Sequence, residues 1–130
     1  MSNEFRGTGN LGAAPALKHV MVKGEDSPVC ELRIFFDEYS RDTNGDIHQS
    51  GGFWMTGSVW GRRAESTAKL LRKGARVRVE GRLREETWED KETGEQRAEH
   101  RLAIDDVYLA LSRIESVQFK EKAPAEDVPA

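Results

Sequence analysis

The fold of this chain is decided between Phe53 and Trp60, where the sequence reads FWMTGSVW. Side chains of a β-strand alternate between its two faces. One face therefore carries the apolar side chains of Phe53, Met55 and Val59. The opposite face alternates two indoles with two hydroxyls, in the order Trp54, Thr56, Ser58 and Trp60. Indoles beside hydroxyls are an unusual filling for a core, so this second face is the candidate functional surface.

A second strand repeats the alternation at residues 76–84, which read RVRVEGRLR. Val77, Val79 and Leu83 are predicted to point inward. The outward positions, interrupted by Glu80, carry Arg76, Arg78, Arg82 and Arg84. The same parity places Trp88 on the outward side. Cations that contact phosphates and flat rings that stack on unpaired bases are what a single-stranded nucleic acid requires. The alternative is a solvated arginine face beside tryptophans of an ordinary core.

Length and composition indicate a single globular domain with a highly charged surface. The 130 residues suffice for one domain with a core, and charged residues make up 33% of them. The net charge of -3 does not exclude an anion-binding face, because basic residues dominate positions 62–84 and the acidic residues lie mostly elsewhere.

The location of the protein is predicted to be cytoplasmic and nucleoid-associated. The N-terminus lacks the basic and apolar regions of a signal peptide, and no apolar run is long enough to span a membrane. The single cysteine, Cys30, forms no intramolecular disulfide and fits a reducing compartment as a small buried residue.

The first half of the chain predicts two further strands. They lie at residues 16–22 and 29–39, with a turn at 23–28 between them. Residues 40–52 are rich in Asp, Asn, Ser and Gly, which predicts a mobile loop. The glycine-rich residues 5–12 lack the Lys-Ser or Lys-Thr of a phosphate loop and fit a bent strand with close backbone approach.

The second half predicts a helix and a long hairpin. Apolar residues recur at helical spacing after Gly61, which predicts a helix of about three turns that ends near Gly74. Thr93 and Gly94 indicate a hairpin tip. In the return strand, residues 97–111, the alternation slips at the paired aspartates, which predicts a bulge near Asp105. Arg97 and Arg101 are expected to extend the basic face.

These elements fit an all-β domain of the oligonucleotide-binding type, the OB-fold: a five-stranded Greek-key barrel with one short α-helix. The domain is predicted to occupy residues 1–112. Residues 113–130 lose the alternating pattern and are predicted to form a short, disordered acidic tail.

The sequence resembles the bacterial single-stranded DNA-binding proteins over residues 5 to 111. The resemblance is carried by residues 9–12, by Trp54 and Trp60-Gly61, by Leu71-Arg72-Lys73-Gly74, by residues 77–84 and by Trp88-Glu89-Asp90. The spacing of the Leu-Arg-Lys-Gly, Glu-Gly-Arg-Leu-Arg and Trp motifs is specific, whereas the glycine-rich start is not.

The resemblance implies roles for individual residues. Trp54 and Trp88 match tryptophans that stack on bases, and Trp60 stands where the family often has a stacking phenylalanine. Tyr39 is the candidate substitute for a further family tryptophan, which precedes an Arg-Asp pair. Positions that are basic in the family and face DNA phosphates are matched by Arg62, Arg72, Lys73 and Arg84.

The resemblance also implies an assembly and a setting. The family is generally homotetrameric and its first strand usually contributes to a dimer interface, so a tetramer or dimer is expected. The family's acidic tip ends in phenylalanine and recruits replication and repair enzymes. Here the chain ends in Ala130, so recruitment through this tail is not expected. Residues 18–50 also depart from the family pattern, and a plasmid or mobile-element member fits both departures.

The predicted function is sequence-independent binding of single-stranded DNA, protecting it in replication, recombination and repair. A primosome-type adaptor that binds proteins as well as DNA is the alternative. An enzyme is not expected: the neighbouring carboxylates Asp105 and Asp106 point to opposite faces of a strand, as do Asp37 and Glu38. No nucleophile motif is present, no Cys/His spacing indicates a metal, and no cofactor is predicted.

Overall fold

The computed structural model of the protein describes residues 2–121, which form six strands and one α-helix. In chain order the elements are β1 (Asn3–Leu11), β2 (Ala16–Val22), β3 (Glu25–Arg41), β4 (Ile47–Trp60), α1 (Arg62–Leu70), β5 (Arg76–Glu89) and β6 (Gln96–Leu109), followed by a 3-10 helix (Leu111–Arg113).

The strands form one sheet in the order β1-β5-β6-β4-β3-β2. The sheet closes because the end of β1, at Asn10 and Leu11, also pairs with β3. All pairings are antiparallel except the short contact between β4 and β6. This closed sheet with a single helix confirms the predicted all-β OB-fold, and β2 is added to it as a hairpin partner of β3.

Inward-facing side chains of the barrel form the core, as the period-two pattern predicts. Leu32 and Ile34 of β3 and Val77 and Val79 of β5 are fully buried. Closure also requires a small residue in β1, since a Cβ on Gly9 would lie 2.2 Å from the carbonyl oxygen of Phe35. The close backbone approach expected for the glycine-rich start is therefore confirmed.

The helix follows Gly61, whose φ of 84° places it in the left-handed region. Ala64 of this helix is fully buried and packs in the core. The predicted end near Gly74 is wrong, because the helix stops at Leu70. Leu71 instead adopts an extended conformation with φ -96° and ψ 157° and is 8% exposed. Its burial in the core ends the helix before the glycine is reached.

The predicted loop at 40–52 is wrong. β3 continues to Arg41 and β4 begins at Ile47, so both strands extend as a hairpin arm beyond the barrel. The turn between them is short and is fixed by Asp42, whose carboxylate accepts the N–H groups of Asn44 and Asp46. The arm is exposed on both sides, so its strands carry no alternation of apolar and polar residues.

The predicted turn at 23–28 is also shorter than expected. Only Lys23 and Gly24 form it, with φ values of 52° and 81°, which suit a two-residue hairpin turn. Pro28 lies within β3. It is tolerated there because β4 ends at Trp60, which pairs with Val29, so the missing N–H falls beyond the last β4 pair.

The second hairpin agrees with the sequence. β5 and β6 are joined by a turn in which Gly94 has a φ of 74°. The register shifts between Glu80, which pairs with Asp106, and Gly81, which pairs with Ile104. Asp105 is thus the extra residue, and the predicted bulge is confirmed.

The described part of the chain contains no helix long and apolar enough to cross a membrane. The predicted domain boundary at residue 112 falls in the 3-10 helix and stays a prediction. The second half of the predicted acidic tail, residues 122–130, lies outside the described residues.

Candidate nucleic-acid interface

The outer face of β4 presents two half-exposed indoles. Met55 and Val59 point into the core with exposed fractions of 4% and 2%, whereas Trp54 and Trp60 are each 50% exposed. The predicted strand parity is therefore confirmed. The separation of the two indoles along the strand is about 20 Å at the rise of a β-strand. Each ring can thus serve a different nucleotide of one chain.

Trp54 is held in place by three neighbours. Its ring centroid lies 5.2 Å from that of Phe35 on β3, with the planes tilted by 58°. The guanidinium carbon of Arg33 lies 5.5 Å from the indole centroid, within cation–π distance. A Cβ at Gly12 would lie 2.4 Å from the indole Cζ3 atom, so only glycine leaves room for the ring. These contacts fix the orientation of an indole whose surface remains half exposed.

Arg33 spans the outer face of the sheet. It donates to the Thr56 hydroxyl at 3.0 Å and lies 3.8 Å from a Glu99 oxygen of β6. Its guanidinium therefore bridges from β3 across β4 to β6 beside the exposed face of Trp54. The sequence analysis did not identify Arg33 as a site residue.

A groove of about 490 Å³ begins at Trp60 and Ser58 and crosses the outer face. Its basic lining comes from four different elements and consists of Lys18, Arg63, Arg82, Arg84 and Arg101. Its acidic lining consists of Glu31, Glu86 and Asp105. The groove combines an indole with an excess of cations, which suits a phosphate chain carrying unpaired bases.

Part of this positive charge is neutralised within the groove. Glu31 lies between Lys18 and Arg101, and its Oε2 atom is 2.8 Å from Arg101 Nη2. The hydrogen bond from Lys18 lowers the pKa of Glu31; burial opposes this, and the charges of Lys18 and Arg101 add to the lowering. Glu31 is therefore ionised at neutral pH and links β2, β3 and β6.

The predicted phosphate-binding residues fall into two groups. Arg76 is engaged: its Nη1 atom lies 3.1 Å from a carboxylate oxygen of Asp37 and 3.2 Å from Asn10 Oδ1. Its side chain is 21% exposed and that of Asp37 only 4%. This cluster joins β5 to β1 and β3 where the barrel closes.

The remaining predicted cations are more accessible. Arg82 lies 3.4 Å from Asp105, but both side chains are about half exposed, so the pair contributes little stability. No ion pair within the described residues involves Arg62, Arg72, Lys73, Arg78 or Arg84.

These cations do not form one cluster. Arg82 and Arg84 line the groove at Trp60, whereas Arg72 and Lys73 line a separate open groove of about 850 Å³ with Arg113. Arg62 begins the helix after Trp60-Gly61. A strand that contacted all of them would have to wrap around the barrel.

The two other predicted stacking residues lie on hairpin arms. Tyr39 belongs to the β3–β4 arm, and Trp88 belongs to the β5–β6 arm, which is the end of that hairpin around the turn at Gly94. Tyr39 is 56% exposed and pairs with Gln49, and Trp88 is 46% exposed and pairs with Arg97. Within residues 2–121, no ring–ring contact joins them to the indoles of β4. The four aromatic residues are thus exposed, as stacking requires, but they stand on three separate parts of the molecule.

Comparison with known proteins identifies the family. The sequence model of the Single-strand binding protein family matches residues 3–110, which include all six strands and the helix.

The chain belongs to this family.

Relatives of this chain include two bacterial proteins named single-stranded DNA-binding protein. Single-stranded DNA-binding protein 2 of Streptomyces coelicolor is 37% identical over 73 residues, which cover 56% of this chain and 36% of that protein. The match thus spans little more than a third of that relative. Single-stranded DNA-binding protein 1 of Nostoc sp. is 27% identical over 105 residues, which cover 81% of this chain and 80% of the relative.

A solved structure shares the fold. The crystal structure of a small single-stranded DNA-binding protein from Streptomyces coelicolor superposes with a TM-score of 0.73 and covers 87% of this chain and 98% of that chain. The two sequences are 18% identical, so this likeness concerns the fold.

The sequence did not single out Lys18, Arg33 or Arg63 as site residues, although Lys18 and Arg63 line the groove and Arg33 contacts Trp54. Strand alternation along one strand does not predict which strand lies opposite. Lys18 reaches the groove because β2 pairs with β3, and Arg33 reaches Trp54 because β3 pairs with β4. Both placements depend on register between separate strands. Arg101, which the sequence assigned to the basic face, does line the groove.

Proposed function

We propose that this protein binds single-stranded DNA with little sequence preference. In this proposal, unpaired bases stack on Trp54, Trp60, Trp88 and Tyr39. Phosphates contact exposed basic side chains, namely Arg62, Arg72, Lys73, Arg78, Arg82 and Arg84. The observation that carries the proposal is the pair of half-exposed indoles on β4 beside a groove lined by cations, in a member of the Single-strand binding protein family.

For Arg76 we propose a structural role instead. Its guanidinium is bound to a nearly buried carboxylate, so a phosphate would have to displace Asp37 and leave it unpaired. The charge of Arg76 thus serves the closure of the barrel.

The affinity arises from two terms. Stacking of a base on an aromatic side chain contributes about 1–3 kcal/mol and is available to every base. Contacts to phosphates release counterions, so the logarithm of the binding constant falls with the logarithm of salt concentration by about 0.7 per contact on a single strand. Duplex DNA hides its base faces and is expected to bind weakly.

The biological setting follows from this activity. The family consists of DNA-binding proteins without enzymatic activity, and its membership favours DNA binding over the adaptor function that the sequence left open. We place the protein at the nucleoid in the cytoplasm, where it protects exposed strands during replication, recombination and repair. We further propose a dimer or tetramer as the working assembly.

Tryptophan fluorescence tests the function directly. The protein is titrated with oligo(dT) at low and at high salt, and with a duplex of equal length. Strong quenching by oligo(dT), weaker binding at high salt and little response to duplex are expected. Absence of quenching and of binding at low salt contradicts the proposal. Trp60→Ala is compared with Trp60→Phe, because only the second retains a ring for stacking.

A further inference from the structure

A second opening in the sheet lies where β4 and β6 separate. These parallel strands pair only from Thr56 to Ser58 and from Arg101 to Ala103. Continuing that register would place Trp54 opposite Glu99 and Met55 opposite His100, but the described strands no longer pair there. A cavity of about 420 Å³ occupies the gap. We call this space the β4–β6 cleft.

The walls of the cleft are largely aromatic. Phe5, Phe53 and Trp54 line it together with Leu83. Phe53 is 42% exposed, and its ring is supported by Phe36 at 5.5 Å and by Phe5 at 6.4 Å between centroids. An exposed ring backed by other rings offers a fixed flat surface. The volume lies within the range of about 300–1,000 Å³ that small-molecule sites occupy.

Met55 and two polar side chains also line the cleft. Glu99 and His100 stand on the β6 side, with side chains 42% and 63% exposed. Glu99 is ion-paired only loosely, with Arg33 at 3.8 Å. A carboxylate accepts hydrogen bonds, and the exocyclic amino group of cytosine donates them. Thymine has a carbonyl oxygen in place of that amino group, which repels a carboxylate.

The cleft is continuous with the stacking face. Trp54 belongs to both, because it lies on the outer face of β4 and also lines the cleft. A base stacked against Trp54 therefore leaves its neighbour in the strand beside the opening.

We propose that the β4–β6 cleft is a base-binding pocket that receives one unpaired base of the bound strand, and that Glu99 makes this pocket favour bases with an exocyclic amino group over thymine. The inference rests on the proposed DNA-binding function and adds to it a site with a base preference. Phe53 supplies the stacking surface, and Glu99 supplies the acceptor.

The ring is tested with Phe53→Leu, which keeps apolar volume against Phe36 and Phe5. The full chain is titrated with oligo(dT) and oligo(dC) of equal length. Loss of one stacked base predicts a dissociation constant at least about fivefold higher for both oligonucleotides. The matched control is Ile47→Ala, an exposed apolar residue of the same strand at the far end of the arm, which should bind like the wild type. Thermal unfolding verifies that each variant is folded.

The acceptor is tested with Glu99→Ala, which removes none of the rings that line the cleft. The quantity compared is the ratio of the two dissociation constants, because removing a negative charge raises the affinity for every oligonucleotide alike. Loss of one hydrogen bond is expected to shift the ratio toward thymine by about threefold to tenfold. Glu95→Ala, on the same hairpin beyond the cleft, should leave the ratio unchanged.

The results distinguish failure of the cleft proposal from failure of the proposed DNA-binding function. If the wild type binds but Phe53→Leu leaves both affinities unchanged and Glu99→Ala leaves the ratio unchanged, the cleft holds no base and the inference is wrong. If the wild type binds neither oligonucleotide, the proposed function itself is wrong.

Discussion

The barrel wall and the two hairpin arms carry the same kind of side chain on different supports. In the wall, β4 alternates exposed Trp60 with buried Val59, so the core fixes the strand that holds the indole. In the arms, every described residue from Glu38 to Phe53 is exposed, and Trp88 likewise lies among exposed neighbours. The wall can therefore present rings in a preorganised position, whereas no ring–ring contact among the described residues supports Tyr39 or Trp88 on the arms. Substitution of a ring in the wall should therefore change both DNA affinity and protein stability, whereas substitution of a ring in an arm should change DNA affinity only.

The largest difference in stability between wall and arm is expected when a core residue beneath the wall is truncated. Leu32 is fully buried and pairs with Gly57 of β4. Leu32→Ala is expected to lower the free energy of unfolding by about 2–5 kcal/mol, because it leaves a cavity. Chemical denaturation measures the change. Ile47→Ala on the arm should stay within about 0.5 kcal/mol of the wild type. Equal losses for the two variants would contradict the division into wall and arm.

Trp54 in the wall and Trp88 in the arm are expected to differ in their effect on stability but not in their effect on binding. Trp54→Ala and Trp88→Ala should each weaken binding of single-stranded DNA by about 1–3 kcal/mol, because each removes one stacking surface. Only Trp54→Ala should also lower the melting temperature, since it removes the contacts with Phe35 and Arg33. Oligo(dT) titration and thermal unfolding of each variant provide both values. A melting temperature lowered equally by Trp88→Ala would show that the arm is part of the core.

This contrast also marks how far the sequence could predict the structure. The wall was predicted correctly because one buried face requires apolar residues at every second position of β4 and β5. The bulge was predicted because this alternation shifts by one residue at Asp105. The arm at 40–52 was predicted to be a loop because a strand exposed on both faces needs no such period. Its pairing is fixed by backbone hydrogen bonds and by the Asp42 turn, which leave a weaker signal.

The candidate site shows the same limit at the level of single residues. Arg76 and Arg84 occupy equivalent outward positions in the alternating pattern of the same strand. Only the register of β5 against β1, and of β1 against β3, brings Arg76 to Asp37. The helix end was mispredicted for a related reason, because burial of Leu71 depends on the closed barrel. Non-local pairing is what the local pattern lacks.

The closure of the barrel predicts a dependence of stability on pH. Burial opposes ionisation of Asp37, but hydrogen bonds from Tyr39 and Arg76 outweigh it and lower the pKa of this carboxyl. The unfolded chain therefore takes up a proton at a higher pH than the folded chain does. The stabilisation is present above the pKa of an unfolded aspartate, about 3.9, and is lost as pH falls through the lower folded value.

Thermal unfolding between pH 7 and pH 2 checks this expectation. Asp37→Asn should be less stable than the wild type at neutral pH, and its melting temperature should fall less steeply toward acid. Glu38→Gln, an exposed neighbour on the arm, serves as the matched control. A profile of Asp37→Asn parallel to that of the wild type would assign the acid response to other carboxylates.

The smallest expected effect distinguishes a free cation from an engaged one on the same strand. Arg84→Ala should lower the slope of log affinity against log salt by about 0.7, since it removes one phosphate contact. It should leave the melting temperature unchanged, because Arg84 forms no ion pair with the described residues. Arg76→Ala should do the reverse: it leaves the nearly buried Asp37 unpaired, lowers the melting temperature and keeps the slope. Measuring both variants below their melting temperatures separates the two effects. A reduced slope for Arg76→Ala in a folded protein would mean that a DNA phosphate competes with Asp37 for this guanidinium, and that closure of the barrel is coupled to binding.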